Sequence, residues 1–362
     1  MPELILLCAG AATDPADAGG DPAAAALPDP FAREGQALAR ELSGGVLARG
    51  FARARIGAEA IDASPLPREL PDEGWLRARF GVAPGDSVAA WAAAAHGLPA
   101  PRWRATPVHV EVGRHQIVLA DPTGLDLTAA AAAALAEAAQ PCLAAAGFTL
   151  ELARPDRWFL SGNADWQLDT HAWTMAVGRS IDGHLPRGEH ARDWRRVFTE
   201  IQMAWHEHPV NEQRAGRGLP PINALWLDGC AREPLPPAPL VAFTDDDAIA
   251  GLAVASGGEH RPLPADGAGV DLAGAPAGRD VVVDPGFWRQ PRRLGDAYGW
   301  REAWLRFERW LPKLLRDQAV PDGFERIRLV ASAERRCVEL VLARSDRWKL
   351  LRRFDAAAAL LR

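Results

Sequence analysis

Lysine is almost missing from this chain: among 41 basic side chains only Lys313 and Lys349 are lysines, and the rest are arginines. Because Ala, Gly and Pro are also plentiful, the arginine excess reads as a coding bias before it reads as a set of anion sites. Cysteine is scarce. Cys8, Cys142, Cys230 and Cys337 stand far apart and form no Cys-x-x-Cys pair, which argues against a zinc or disulfide framework and predicts small packing groups in a reduced protein. No apolar run reaches bilayer length, since the alanine run Ala129 to Ala134 is short and lies in an amphipathic helical pattern. Met1-Pro2-Glu3 lacks a basic leader region and Leu4 to Leu7 is too short for a signal core, so the expectation is a cytoplasmic protein without membrane contact. A net charge of −6 and a pI near 5.9 leave no basic excess for nucleic acid. Gly-x-Ser-x-Gly, P-loop and Gly-x-Gly-x-x-Gly motifs are absent, so hydrolase, NTPase and dinucleotide readings have no positive support.

What is present describes an ordinary globular chain. Its 362 residues, 48% hydrophobic and 24% charged, suffice for one large domain or two smaller ones. Strands are predicted at Glu3 to Leu7, Val108 to Val112 with Gln116 to Leu119 as a hairpin, Phe148 to Leu152, Trp158 to Leu160, Ala224 to Leu227 and Leu240 to Phe243. Val281 to Val283, Ile327 to Val330 and Val338 to Leu342 follow. Helical spacing starts at Phe31 and recurs over Asp86 to His96, from the cap Thr128 towards Ala146, over Glu189 to Glu207, and over Trp300 to Leu315. The mixture predicts an α/β or α+β fold, a mixed β-sheet flanked by helices. Loose composition at 256–279 suggests a flexible connector between an α/β region at 1–255 and an α/β segment at 280–362, which is open to belonging to the same domain. Among the 14 tryptophans, Trp300 and Trp304 join Phe307 and Leu311 in a stripe that predicts core packing.

The most informative stretch is His208-Pro209-Val210-Asn211-Glu212-Gln213-Arg214, continuing through Gly218 and Asn223-Ala224-Leu225-Trp226 to Gly229. Two amides, one guanidinium fork and one indole stand among turn formers, which reads as a ligand loop. An Arg between two Asn can grip a carboxylate or phosphate through paired N–H bonds. The competing reading is a structural connector whose Asn side chains satisfy turn backbone. Trp226 either plugs the loop against the core or flanks a ligand. His206-Glu207-His208 has metal-ligand residue types, but alternate residues at a helix end diverge, so capping is the simpler role.

The pattern His208-Pro209-Val210-Asn211, Arg214, Gly218, Pro220 or Pro221, Asn223, Trp226, Gly229 resembles a signature of archaeal-type, cofactor-independent phosphoglycerate mutases of the alkaline phosphatase superfamily. A nearer likeness is to RpfE-type bacterial regulatory proteins, echoed by Thr106-Pro107-Val108-His109, Leu119-Ala120-Asp121 and Gly147-Phe148-Thr149-Leu150 leading to Arg157-Trp158-Phe159-Leu160. The resemblance covers roughly the middle third of the chain. It implies an alkaline-phosphatase-like remnant, and it makes His208, Asn211, Arg214, Asn223, Trp226 and, secondarily, Arg157 ligand-binding candidates.

A working mutase of this kind resembles its relatives in using two divalent metals and a hydroxyl nucleophile, because paired cations clamp the charge that develops in phosphoryl transfer. Three departures stand out. The first strand runs into Cys8-Ala9-Gly10-Ala11 where an Asp-Gly metal motif is implied, although Mg²⁺ and Mn²⁺ prefer carboxylate oxygen. All 9 histidines lie at or before His260, so the implied late His ligands are missing. Asp245-Asp246-Asp247 reads as a helix cap. The expectation is a protein without cofactor or metal that binds a small anionic metabolite, phosphorylated or carboxylated, or a protein partner, in a regulatory or accessory role. The alternatives are a Mn²⁺- or Mg²⁺-dependent mutase or phosphomonoesterase, and a structural interaction module.

Overall fold

The computed structural model describes residues 2–15, 30–62, 64, 69–81, 88–99, 103–114, 116–162, 166–229, 238–265, 267–316, 320–349 and 353–361. Cys230, much of the 9–30 stretch and parts of the Pro-rich passages at 65–71 and 233–239 lie outside them. Two compact units emerge: residues 1–81 with 236–362, and residues 82–235 set into that chain as a continuous insertion. The expected division put a connector at 256–279, whereas that stretch supplies a strand and a short 3-10 turn to the first unit.

The chain begins with strand β1 (Glu3–Cys8), helices α1 (Pro30–Glu41) and α2 (Val46–Gly50), strand β2 (Arg55–Ile61) and helix α3 (Pro71–Arg79). The insertion carries α4 (Val88–Ala94), β3 (Trp103–Val108), β4 (Val110–Val112), β5 (Ile117–Leu119), α5 (Ala129–Ala145), β6 (Phe148–Arg154), β7 (Arg157–Gly162), α6 (Trp173–Ala176), α7 (Ala191–His206), α8 (Pro209–Gly216) and β8 (Ala224–Asp228). Returning to the first unit are β9 (Leu240–Phe243), α9 (Asp247–Ala255), β10 (Glu259–Arg261), β11 (Asp280–Val283), α10 (Arg289–Arg293), α11 (Ala297–Leu315), β12 (Arg326–Ser332), β13 (Arg336–Ala343) and α12 (Ala356–Leu361).

The first unit is built on a seven-stranded mixed sheet flanked by helices, in the order β10-β9-β11-β1-β12-β13-β2. β10, β9, β11, β1 and β12 run parallel, β13 pairs antiparallel to β12, and β2 pairs antiparallel to β13 at the edge. β1 is buried on both faces, as the continuous run Leu4 to Leu7 requires of a central parallel strand. The α11 stripe buries Trp300, Trp304, Phe307 and Leu311 in the main core with Leu4, Leu6, Val281, Val283 and Leu329. Trp288 meets Trp304 in an edge arrangement at 4.9 Å between ring centroids, so the tryptophans here are core groups.

The insertion has its own core. Its sheet runs β6-β7-β3-β8 antiparallel, with β4 and β5 as a separate hairpin. α5 and α7 cover it, burying Leu135, Leu143, Trp194, Ile201 and Trp205. Thr128 caps α5 by accepting from the Ala131 N–H, as its position before the alanine run predicts. Among the described residues no helix is long and apolar enough to cross a membrane.

Candidate functional site

Residues 209–216 form helix where the sequence reading placed a loop, and the strand expected at Ala224 to Leu227 is β8. His208 is the N-cap of α8, its Nδ1 accepting from the Val210 N–H at 3.2 Å, and Pro209 fills the first turn, where a missing N–H costs nothing. Each candidate side chain then turns to the protein itself. Asn211, buried, donates to the carbonyls of Trp205 and Ile222 at 2.8 Å and accepts from the Ile222 N–H at 2.8 Å. Asn223 accepts from the Val110 N–H at 2.8 Å and donates to the Val110 carbonyl at 2.9 Å, standing in for one rung of a strand ladder. Trp226, buried, donates to the carbonyl of His171 at 2.9 Å, which makes it the plug and not a ligand flank.

Arg214 carried the anion hypothesis. Its guanidinium donates to the Pro220 carbonyl at 2.8 Å, the Leu125 carbonyl at 2.6 Å and the Asp126 carbonyl at 3.4 Å, with only 5% of the residue exposed. Burial pushes its pKa down from the usual arginine range, with Asp126 opposing and Arg217 assisting. The fork spans two segments far apart in sequence and is committed to backbone carbonyls, so the geometry gives no cradle for an anion. Arg157 is likewise engaged, donating to the Asp156 carboxylate at 2.6 Å. A cavity of about 260 Å³ lies beside the Leu125–Asp126 turn, lined also by Pro107, Thr123, Arg154 and Asp156. Its two carboxylates outnumber its one guanidinium, which disfavours a phosphorylated or carboxylated ligand there.

Chemistry-bearing groups converge elsewhere, at the carboxyl ends of the first unit's parallel strands, where open α/β sheets place their ligands. Thr244 follows β9, Asp284 follows β11, Cys8 ends β1 and Ser332 ends β12. Asp284, 2% exposed, accepts from Thr244 Oγ1 at 2.8 Å and from the Arg289 guanidinium at 2.6 Å through the same Oδ2. Arg289, the first residue of α10, also reaches Asp246 Oδ2 at 3.8 Å. Asp246 caps α9, its Oδ1 accepting from the Ala248 and Ile249 N–H groups, as the acidic triplet predicts. Ser332 Oγ accepts from the Gly10 N–H at 3.0 Å and donates to the buried Asp72 of α3 at 2.8 Å. Gly10 has φ +81°, and a Cβ there would press on Arg292 at 3.3 Å, so glycine lets α10 close over the strand ends.

Electrostatics bind this group into one unit. Burial raises the Asp284 carboxyl above the usual range, and Arg289 and Thr244 pull it back only in part. Burial raises Asp72 in the same way. Burial alone would lower Arg289, but Asp284, Asp246 and Asp72 together raise it, so it stays a cation. The Cys8 thiol is pushed well up by burial and by Asp284, which makes it an inert packing group.

The paired divalent metals of a working mutase do not fit this donor set. A guanidinium stands among the carboxylates, and among the described residues no group of three or more His, Cys, Asp or Glu is placed to hold a metal ion. Asp72, Thr244, Asp284, Arg289 and Ser332 were not singled out by the sequence reading. Their only local signal is an apolar strand run ending in Thr or Asp, at Phe243-Thr244 and Val283-Asp284.

With this geometry established, the chain is an α/β protein with a polar cluster at the carboxyl edge of a mixed sheet. No protein-family model matches it. Over 61 residues, 17% of this chain, it is 38% identical to the 2,3-bisphosphoglycerate-independent phosphoglycerate mutase of Methanothrix thermoacetophila, and the match spans 16% of that protein's length. The solved PH0037 protein from Pyrococcus horikoshii superposes with a TM-score of 0.50 and 12% identity, covering 94% of this chain and 87% of that one, a likeness of fold alone. The cofactor-independent phosphoglycerate mutase from Thermoplasma acidophilum covers 100% of this chain and 96% of its own at 14% identity, with a TM-score of 0.39, too loose to bear on the fold.

Proposed function

We propose that this is a phosphoglycerate-mutase-like protein that binds rather than turns over, a cytoplasmic regulatory or accessory protein of the kind the RpfE-type resemblance implies. The observation that carries the reading is Arg289, hydrogen-bonded to Asp284 and beside Asp246 at the strand ends. A cation tethered there supplies the positive charge these carboxylates need, while a guanidinium offers no open coordination position to a phosphoryl oxygen. Thr244 and Ser332, the hydroxyls at the same edge, each donate to a buried carboxylate, so neither is presented as a nucleophile. Of the two ligand classes, a small anionic metabolite and a protein partner, the inward commitment of Arg214 favours the partner.

The test is an assay of the native chain with 2- and 3-phosphoglycerate and with a generic phosphomonoester, in chelator and in added Mn²⁺ or Mg²⁺. No turnover above buffer in either condition is the expected result. Metal-dependent turnover by the native chain would establish the competing reading, a mutase or phosphomonoesterase, which the 61-residue match to a mutase favours.

A further inference from the structure

We propose that α3 is a detachable flap of the first unit: it leaves the sheet as a body while the strands beneath stay folded, and so uncovers the face that carries Ser332, Cys337 and Glu339. Its length and sequence make it a weak element. α3 has nine residues, carries Gly74 in its interior and buries one apolar side chain completely, Leu76 at 3% exposure. A helix this short is marginal unless packing holds it, and an interior glycine weakens it further relative to alanine. α11, in the same unit, buries Trp300, Trp304, Phe307, Leu311 and Leu314 along one face. Elements with few buried apolar contacts are the ones that open locally below the cost of global unfolding.

What holds α3 down is polar. Asp72 in its first turn accepts from Ser332 Oγ at 2.8 Å, Trp75 Nε1 donates to Glu339 at 2.9 Å, and Arg79 reaches Asp280 at 2.6 Å and Glu3 at 3.2 Å. Water replaces such ties when the helix lifts, so each contributes little net. Two are imperfect: burial pushes the Asp72 carboxyl up, so the closed helix holds that charge at a cost, and the buried Arg79 Nε has no partner. Ser332 stands opposite Cys337 across β12 and β13, and Glu339 lies two residues on, so the three side chains share one face of the sheet. Burial raises the Cys337 thiol and Asp72 and Glu339 add to it, which places the thiol beneath the helix. Arg289 and Asp246 act on the Asp72 charge in turn, so an opened α3 takes one wall off the carboxyl-edge cluster.

The experiment follows the purified full chain at urea concentrations below its unfolding transition, by maleimide modification of Cys337 resolved by mass spectrometry and by amide exchange at residues 75–80. Both rates should rise with urea at no more than about half the slope of global unfolding, because only the surface around α3 is exposed. Amides at 329–331 in β12 should exchange at least about tenfold more slowly. A slope equal to the global one overturns the proposal, as does a Cys337 rate that does not follow residues 75–80. Trp75→Phe with Arg79→Gln removes two ties and keeps most of the apolar bulk, so it should speed Cys337 modification about tenfold and β12 exchange by less. No acceleration in the folded double variant overturns the proposal. Gly74→Ala removes no contact and asks only the Glu69 carboxylate to shift, so it should slow both rates about threefold or more. Should the double variant not fold, Gly74→Ala decides, since an unchanged or faster rate overturns the proposal. The opening is read from one thiol and the backbone amides, so it stands whether or not the chain turns over a phosphoglycerate.

Discussion

Asn211 and Ile222 form a reciprocal pair: the side-chain amide donates to the Ile222 carbonyl and its oxygen accepts from the Ile222 N–H, both at 2.8 Å. The same amide reaches the Trp205 carbonyl, so one side chain joins the end of α7 to the segment entering β8. Truncation would take the Asn211 partner from the Ile222 N–H and carbonyl, while the Trp205 carbonyl keeps the His208 N–H at 3.2 Å. Asn211→Ala should therefore cost about 3 kcal/mol, more than a typical exposed hydrogen bond contributes, because the orphaned groups carry the desolvation penalty. Urea denaturation measures it, and a loss under about 1 kcal/mol would mean that the pairing does not form.

Arg214 gives a prediction that separates a structural role from a ligand role. Its fork satisfies carbonyls at Leu125, Asp126 and Pro220 together. Lysine offers one ammonium on a flexible stem and cannot match that planar arrangement. Arg214→Lys should lose about 2 kcal/mol of stability and Arg214→Ala at least as much, while neither alters whatever weak affinity the chain has for phosphoglycerates. Calorimetry showing that Arg214→Ala abolishes saturable phosphoglycerate binding, with the fold intact, would restore the anion cradle.

Much of the scaffold was legible because its signals are local. Val281 to Val283 and Leu4 to Leu7 are continuous apolar runs and became buried parallel strands. The stripe Trp194, Val197, Phe198, Ile201, Trp205 became the buried face of α7. The helix α8 was missed because polar, turn-favouring residues dominate it, and only the His208 cap and Pro209 mark its start. β2 was missed for another reason: this edge strand is exposed along its length, so no inside-outside alternation marks it. The carboxyl-edge cluster was out of reach because, although Asp284 and Arg289 stand only five residues apart, Thr244 and Asp246 at the end of β9 reach them only through sheet order, which no spacing in the chain encodes.

Acid should expose the charge network at the other end of β1. Burial works to raise the Glu3 carboxyl, but Arg328, Arg79 and Arg326 outweigh it and hold the pKa down at about 2, below an ordinary value of 4.5. A carboxyl depressed on folding adds stability that is complete above pH 4.5 and disappears as pH falls towards 2. Arg79 and Arg326 are about a third exposed, so water screens part of the attraction, and the contribution at neutral pH is about 2 kcal/mol. Glu3→Gln should be less stable than the parent by that amount at pH 7 and indistinguishable from it near pH 2. A gap between the two proteins that does not narrow with acid would refute the assignment.

Two adjacent glycines after α9 separate backbone conformation from space. Gly257 has φ +70° and nothing within 4 Å of where a Cβ would stand, so Gly257→Ala should cost only the left-handed penalty, about 1 kcal/mol. At Gly258 an added Cβ would lie 1.8 Å from the Leu240 carbonyl oxygen and 2.8 Å from its nitrogen. Leu240 begins β9, which is paired with β10 on one side and β11 on the other, so its backbone cannot retreat without breaking a ladder. Gly258→Ala should therefore cost roughly 3 kcal/mol or more and loosen the β10 edge first. Hydrogen exchange would show this as faster exchange at residues 259–261 and 240–243, while Gly257→Ala leaves those amides protected. Equal losses of stability for the two variants would mean that β9 and β10 do not approach as closely at Gly258 as the structure places them.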